Sequence, residues 1–359
     1  MIKIAFIINS LRNNGPVNVL LNMVYGIDRQ KYNVSVITLI DENDENIINE
    51  LKNINVTVIG LNLKKNILSM FSSKKLSKVI AEENFDIIHT HSHVPTVMAS
   101  RVRVKKVSTV HCRLNEDFED TYGKIKGKIV NFFYVNALKK YDKVISCSKA
   151  VNNVVNKYIK DSTYVMNGID FQFEKDKRKK ELLKELKIPL NAKIYIYLGG
   201  LTYRKNVLTM VNKMDELMND DEYLLLLGDG DLKNEIETIV KRNDHIKLLG
   251  FIDDVKQYLL ISDYYVSFSI SEGLPISVIE ALSCNLKVFL SDIPSHKEFF
   301  NIDNKKYIGE YFNKKNIKEK LNKLRNECRC DSCELYKGNF TSKCMMKKYM
   351  KIYDDILEI

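Results

Sequence analysis

Glu272-Gly273-Leu274-Pro275-Ile276-Ser277-Val278-Ile279-Glu280 sets two carboxylates eight positions apart, across a Gly-Leu-Pro turn and along the apolar run that follows it. Ser269-Ile270-Ser271 precedes the first carboxylate, at the exit of the β-branched and aromatic run Tyr264–Ser269. The segment therefore reads as strand, turn and helix, with the helix over Ile276–Leu282. A helix start frees backbone N–H groups that can hold an anion such as a diphosphate. Carboxylates on either side accept hydrogen bonds from hydroxyls. The pattern suits a ligand made of sugar, diphosphate and a second sugar.

Outward from this junction, short β-branched runs alternate with longer helical stretches. The first series of strands is read at Ile2–Ile8, Asn33–Thr38, Asn55–Ile59, Asp86–His89, Lys106–Val110 and Lys143–Ser146, with helices such as Pro16–Tyr25 and Ser73–Glu83 between them. A break follows Asn167-Gly168-Ile169-Asp170. The stretch from Phe171 to Lys187 is dense in charge and reads as a surface linker entering an exposed helix. The pattern then restarts at Lys193–Leu198, Tyr223–Leu227, His245–Leu248, Tyr264–Ser269 and Leu286–Leu290. Near-continuous apolar strands alternating with helices argue parallel sheets covered on both faces. The expected organisation is an N-terminal unit over 1–170, a second over 171–341 and a terminal helix over 342–359.

The 359 residues fit about two domains of roughly 150 residues each. No apolar run approaches the roughly 18–20 residues of a membrane span. Met1–Ile8 reads as a buried strand, because its apolar run is short and no small-residue cleavage site follows. Cytosolic residence is the expectation. Seven cysteines, odd in number and irregularly spaced, agree with it. Cys328, Cys330, Cys333 and Cys344 lack a zinc spacing and are expected to be free thiols on a terminal helix pair. The net charge is +10, and residues 1–170 hold 24 Lys and Arg against 16 Asp and Glu. A basic N-terminal half suits an anionic partner or an anionic membrane surface.

Ligands of open parallel sheets bind beyond the carboxyl ends of the strands, which directs attention to the strand exits. The first strand ends in Asn9-Ser10-Leu11-Arg12-Asn13-Asn14-Gly15-Pro16, either a phosphate-facing loop or a plain helix start. His89, His91 and His93 alternate; with no carboxylate or cysteine nearby, they read as hydrogen-bonded loop histidines rather than metal ligands. His111 closes another strand. Gly199-Gly200-Leu201-Thr202-Tyr203-Arg204-Lys205 offers glycines and two cations to a diphosphate. Asp229 and Asp231 form an Asp-x-Asp between glycines, which turn chemistry explains. Lys124–Lys140 mixes lysines with Ile125, Ile129, Phe132, Phe133 and Val135. It reads either as a membrane-surface helix or as a core-packed helix with a solvated lysine face.

Together these residues resemble the Glu-x7-Glu signature of retaining glycosyltransferases of family 4. Asp86-Ile87-Ile88-His89, Thr109-Val110-His111, Val144-Ile145-Ser146-Cys147-Ser148, Asn167-Gly168-Ile169-Asp170, Gly228-Asp229-Gly230 and Leu249-Gly250-Phe251 stand in that family's order. The resemblance implies an α/β GT-B fold: two Rossmann-like doubly wound domains facing across a cleft, with a C-terminal helix, Ser342 to Ile356, crossing back to the N-terminal domain. It implies that Glu272 contacts hydroxyls of the transferred sugar and that His111 sits beside that sugar at its 6-hydroxyl. Glu280 would hold the ribose. Lys205 would meet the diphosphate with N–H groups near Gly15, Ile276 and Ser277; Gly200, Arg204, Gly273, Leu274 and Pro275 complete the donor side. Asn13, Asn14, His91 and Arg113 would face the acceptor. Family members usually place an arginine where this chain has Gly200, and Arg204 is the substitute within reach.

The implied chemistry is front-face displacement with retention, with no metal or other cofactor, because fixed positive charge stabilises the leaving diphosphate. The donor expected from the family is a UDP-sugar. The acceptor expected is a glycan or a polyprenyl-diphosphate-linked oligosaccharide in capsular or other surface-polysaccharide assembly. Peripheral contact with the inner face of the plasma membrane is expected, and nucleic acid is not. Three rivals are a GT-B sugar-nucleotide epimerase, which needs no acceptor, a soluble-acceptor synthase making a disaccharide or glycolipid head group, and a non-catalytic partner of another transferase.

Overall fold

A computed structural model of the chain describes residues 1–12, 14–64, 73–170, 179–303 and 305–359. Two compact units form, one of Met1–Asp170 with Thr341–Ile359 and the other of Phe171–Phe340.

In the first unit the described strands are β1 (Ile2–Ile8), β2 (Tyr32–Thr38), β3 (Thr57–Gly60), β4 (Ile87–His91), β5 (Lys105–Val110), β6 (Lys143–Ser146) and β7 (Thr163–Tyr164). Their order is β3-β2-β1-β4-β5-β6-β7, and every pairing is parallel. Ile4 to Ile8 of β1 are all buried, as a central strand with helices on both faces requires.

β4 departs from the expected reading. It runs on to His91, so His89 and His91 are strand residues, and His93 opens the helix His93–Ala99. His89, Thr90 and His91 are fully buried. Buried polar groups persist where partners satisfy them. His89 Nδ1 lies 2.6 Å from the Tyr353 hydroxyl and its Nε2 lies 2.7 Å from Thr109 Oγ1. Thr109 Oγ1 in turn lies 2.9 Å from the Tyr349 hydroxyl. Tyr349 and Tyr353 belong to the final helix, Ser342–Leu357, which Thr341 caps by accepting from the Cys344 N–H. Asp354 of that helix accepts from Lys31 Nζ at 2.7 Å and from the Tyr32 hydroxyl at 2.8 Å.

The second unit repeats the plan with β8 (Lys193–Leu198), β9 (Glu222–Leu227), β10 (Ile246–Gly250), β11 (Tyr264–Ser267), β12 (Lys287–Ser291) and β13 (Gly309–Phe312). The order is β10-β9-β8-β11-β12-β13, again all parallel. Tyr195, Val211, Leu224, Val266 and Phe289 join one core cluster of this unit. A buried ion pair at the opposite end of this sheet is structural: Glu222, at the start of β9, accepts from Arg325 Nε at 2.8 Å and from the Tyr195 hydroxyl at 3.0 Å.

Strand order reverses between β1 and β4 in one sheet and between β8 and β11 in the other. Crevices at the carboxyl ends of such strand pairs are where open parallel sheets take ligands. The loops that leave β1, β4, β8 and β11 are therefore the places to look. Cys328 and Cys330 lie between helices, Cys333 in Ser332–Asn339 and Cys344 in the final helix. The expected terminal helix pair is thus divided between the two units. No helix among the described residues is long and apolar enough to cross a membrane.

Candidate functional site

β11 ends at Ser267, and five residues later Glu272 turns back into the protein, only 5% exposed. β8 ends beside it, and the loop after β8 delivers Arg204 and Lys205. Lys205 Nζ lies 2.5 Å from Glu272 Oε1, and Arg204 Nη1 lies 3.5 Å from Oε2. Arg204 Nη1 also donates to the Ser271 carbonyl at 2.8 Å, and Ser269 Oγ donates to Glu272 Oε1 at 2.7 Å. Burial alone would raise the Glu272 pKa; Lys205 first and then Arg204 outweigh it and hold the carboxyl below its usual range. One anion between two cations leaves a local charge of +1. An ammonium has three N–H donors, so Lys205 can serve Glu272 and still face a second anion.

The helix Ile276–Ser283 starts at Pro275, which supplies no side-chain cap. Its first N–H groups are therefore available to an anion. Ser277 Oγ lies 2.8 Å from the buried Tyr265 hydroxyl, whose titration is pushed up by burial and then by Glu272 and Glu280. Glu280 is partly exposed, yet burial raises its pKa to about 7. The two carboxylates thus differ: Glu272 is a paired anion, whereas Glu280 titrates near neutrality. Gly273 is partly exposed and Leu274 buried within the turn between them. At Gly200 a Cβ would make only ordinary contacts, at 3.6 Å to Thr202 Cγ2 and 3.9 Å to the Asp229 carbonyl. A Cβ would therefore fit at this position without displacing its neighbours.

Sequence reading missed three participants. Ser269 orients Glu272. Tyr265 bridges toward Ser277. His296, fully buried in the helix Pro294–Asn301, donates from Nδ1 to the Ser291 carbonyl at 3.0 Å and feels the charge of Glu272. Burial holds its pKa at about 4. The local signal was the serine spacing around Glu272; nothing nearby in sequence pointed to His296.

In the first unit, His91 at the end of β4 meets His111 at the exit of β5. His91 Nδ1 lies 2.9 Å from His111 Nε2, with the rings stacked at 5.2 Å. Burial lowers the His111 pKa to about 4 and keeps His91 far below its ordinary value. Asn14 caps the helix Gly15–Gly26 by accepting from the Val17 N–H at 3.1 Å, and Gly15 opens that helix with free space where a Cβ would stand. Arg113 pairs with Glu116 at 2.9 Å. Asn13 lies outside the described residues. Among the described residues no three His, Cys, Asp or Glu side chains converge as a metal ion would need.

Residues 13–173 match the family model described as Glycosyltransferase Family 4, and residues 176–333 match that described as Glycosyl transferases group 1. The chain is 24% identical to the O-antigen biosynthesis glycosyltransferase WclY of Escherichia coli, over 99% of this chain and 98% of that protein. It is 26% identical to the E. coli UDP-Gal:alpha-D-GlcNAc-diphosphoundecaprenol alpha-1,3-galactosyltransferase, over 65% and 64% of the two chains. Among solved structures, sucrose-phosphate synthase from Thermosynechococcus elongatus superposes over the full length of both chains with a TM-score of 0.80 at 15% identity. Anabaena HepE, solved with UDP and glucose, gives a TM-score of 0.76 at 15% identity over 99% of this chain and 100% of that one. These likenesses establish the GT-B fold.

Proposed function

We propose that this chain, a glycosyltransferase of GT-B architecture, acts in O-antigen or capsular polysaccharide biosynthesis and transfers a hexosyl or N-acetylhexosaminyl group, with retention, from a UDP-sugar to a polyprenyl-diphosphate-linked glycan. The observation that carries the donor half is the convergence of Glu272, Lys205 and Arg204 beside an uncapped helix start. In this reading the leaving diphosphate lies against that helix start and the free N–H donors of Lys205 and Arg204. Preorganised positive charge of this kind stabilises the leaving group without a metal. Glu272 accepts from hydroxyls of the transferred sugar, and His111 is a second contact to that sugar. The departing phosphate oxygen takes the proton of the acceptor hydroxyl. The relative named as acting on a diphosphoundecaprenol-linked acceptor supports the acceptor class.

The test is nucleotide release from a panel of UDP-, GDP- and ADP-sugars, with and without a lipid-linked acceptor, followed by NMR of the product anomer. Acceptor-dependent release from a UDP-sugar with retained configuration is expected. Acceptor-independent turnover would point to an epimerase, and an inverted product would remove the front-face mechanism.

Glu280 adds a pH signature. Its raised pKa means the folded protein holds a proton that the unfolded chain has released. The stability this contributes is present below the unfolded carboxyl range, roughly pH 4.3, and is lost as pH rises through about 7. A ribose that donates to Glu280 favours the carboxylate. UDP affinity is expected to rise as pH increases from 6 to 8, with up to about one proton released per site. Calorimetry in buffers of different ionisation enthalpy reads this directly, and Glu280→Gln should flatten the pH dependence.

The acceptor half draws on the helix Lys124–Leu138. Its inner face is buried through Gly127, Asn131, Tyr134, Val135 and Leu138. The outer face is apolar where solvent would favour polar residues: Ile125 is 78% exposed, Ile129 52%, Phe132 63% and Phe133 41%. Helical spacing puts Lys126 and Lys128 on the two sides of that stripe. An apolar stripe flanked by lysines suits an anionic bilayer surface, with the lysine heads among the phosphates. Binding to vesicles containing anionic lipid is expected in co-sedimentation. Substituting Ile129→Glu together with Phe132→Glu should weaken it by roughly tenfold or more; unchanged sedimentation would remove this helix from the reading.

A further inference from the structure

His91 and His111 meet through one imidazole–imidazole hydrogen bond of 2.9 Å. His91 is fully buried and His111 half-buried. Burial disfavours the charged form of both rings, and the neighbouring imidazoles disfavour it further for His91. Two neutral imidazoles carry one N–H each, so only two proton arrangements fit. If His111 donates from Nε2, His91 must carry its proton on its own Nε2. That atom is buried and has no partner among the described residues, so the arrangement orphans an N–H. If His91 donates from Nδ1, its Nε2 is a bare lone pair and the proton of His111 sits on Nδ1. Orphaned buried N–H groups are the rarer defect, which favours the second arrangement.

The ring of His91 is held for this role. It stacks on His89 with centroids 4.6 Å apart and planes within 28°. His89 is in turn fixed at both nitrogens by Tyr353 and Thr109.

We propose that His91 is a positioning residue that locks His111 as the Nδ1–H tautomer, so that His111 presents a hydrogen-bond donor, and not an acceptor, to a sugar hydroxyl oxygen. This deepens the proposed glycosyl transfer and rests on it. The role of His91 is exerted through His111 and needs no contact with substrate.

The test is 15N NMR of the full chain labelled at histidine, read without substrate, together with kcat/KM for the transfer reaction. His111 is expected to show a protonated Nδ1 and a bare Nε2. His91→Asn places an amide donor near the position of Nδ1 and should keep that pattern. His91→Phe keeps the ring but removes the donor; the tautomer is then no longer locked, and Nε2-protonated His111 should appear alongside the Nδ1–H form. The kcat/KM of His91→Asn should exceed that of His91→Phe by about tenfold, the scale of one lost hydrogen bond. An Nε2-protonated His111 in the wild type overturns the proposal, as does a His91→Phe spectrum or kcat/KM equal to that of His91→Asn. If transfer itself fails, the substrate-free spectrum still decides the tautomer, so the two failures are distinguishable.

Discussion

Glu272→Gln is expected to reduce kcat/KM for sugar transfer by about two to three orders of magnitude, the scale seen when one transition-state contact of a preorganised site is removed. The substitution keeps the volume and one acceptor oxygen but deletes the charge that holds Lys205 and Arg204. Those cations are then left facing each other. Breaking a buried ion pair from one side costs about 3–5 kcal/mol when both partners are fully buried. Here the Lys205 side chain is 19% exposed and that of Arg204 38%, so solvent screens the loss and about 1–3 kcal/mol is expected. The pH dependence follows from the depressed Glu272 pKa. Its stabilising contribution is present above the unfolded carboxyl pKa and is lost as pH falls through the folded value. Urea titrations should therefore show wild type and variant converging in acid and diverging toward neutrality. A variant that loses stability but keeps its kcat/KM per folded molecule would reduce Glu272 to a structural anchor.

Gly228→Ala is expected to be the most damaging single change to the second unit. Gly228 has φ of +145°, and a Cβ there would stand 1.9 Å from the Gly199 carbonyl oxygen. The approach is backbone on backbone, so no side chain can yield. Around it Gly199 N donates to the Leu227 carbonyl at 3.0 Å, Leu201 N to the Asp229 carbonyl at 2.9 Å, and Gly228 N to the Gly250 carbonyl at 2.7 Å. The first two bonds hold the exit of β8 against the exit of β9, and the third ties the exit of β9 to the end of β10. Relieving the clash must pull the loop from Gly199 to Lys205 away, at a cost of at least about 3 kcal/mol. For a unit of this size that is roughly 6–12 °C in Tm. The same variant should lose nucleotide binding, because Lys205 rides on the displaced loop. Scanning calorimetry with and without UDP separates the two effects.

Much of the scaffold was legible locally. The runs Ile2–Ile8, Lys143–Ser146 and Lys193–Leu198 are strands to the residue, because central parallel strands are buried on both faces and read as unbroken apolar stretches. β7 and β13 escaped for the converse reason. Thr163–Tyr164 is only two residues long, and Gly309–Phe312 mixes a glycine and a glutamate with aromatics; both lie at the edge of a sheet. The end of β4 was misread because His89-Thr90-His91 looks polar. What buries it is hydroxyls on a helix some 260 positions away, which no local pattern can report. The carboxylates of the candidate site were visible from the turn between them. Their difference was not: Glu272 is ionised by cations 67 and 68 positions upstream, brought close by the β8–β11 pairing, while Glu280 has only burial acting on it.

The final helix carries a consequence for biosynthesis. Residues 1–170 leave the ribosome before the second unit, yet their own unit is completed by Thr341–Ile359, which follow the whole of that second unit. Until Tyr349 and Tyr353 arrive, His89 and Thr109 lack the hydroxyls that satisfy them, and Asp354 has not reached Lys31 and Tyr32. The second unit is contiguous in sequence and has no such wait. The half synthesised first is thus the half that finishes folding last. During translation the nascent chain must carry a first unit that lacks its closing helix through the synthesis of an entire second domain, which makes the first unit a natural client for chaperones that bind ribosome-borne chains.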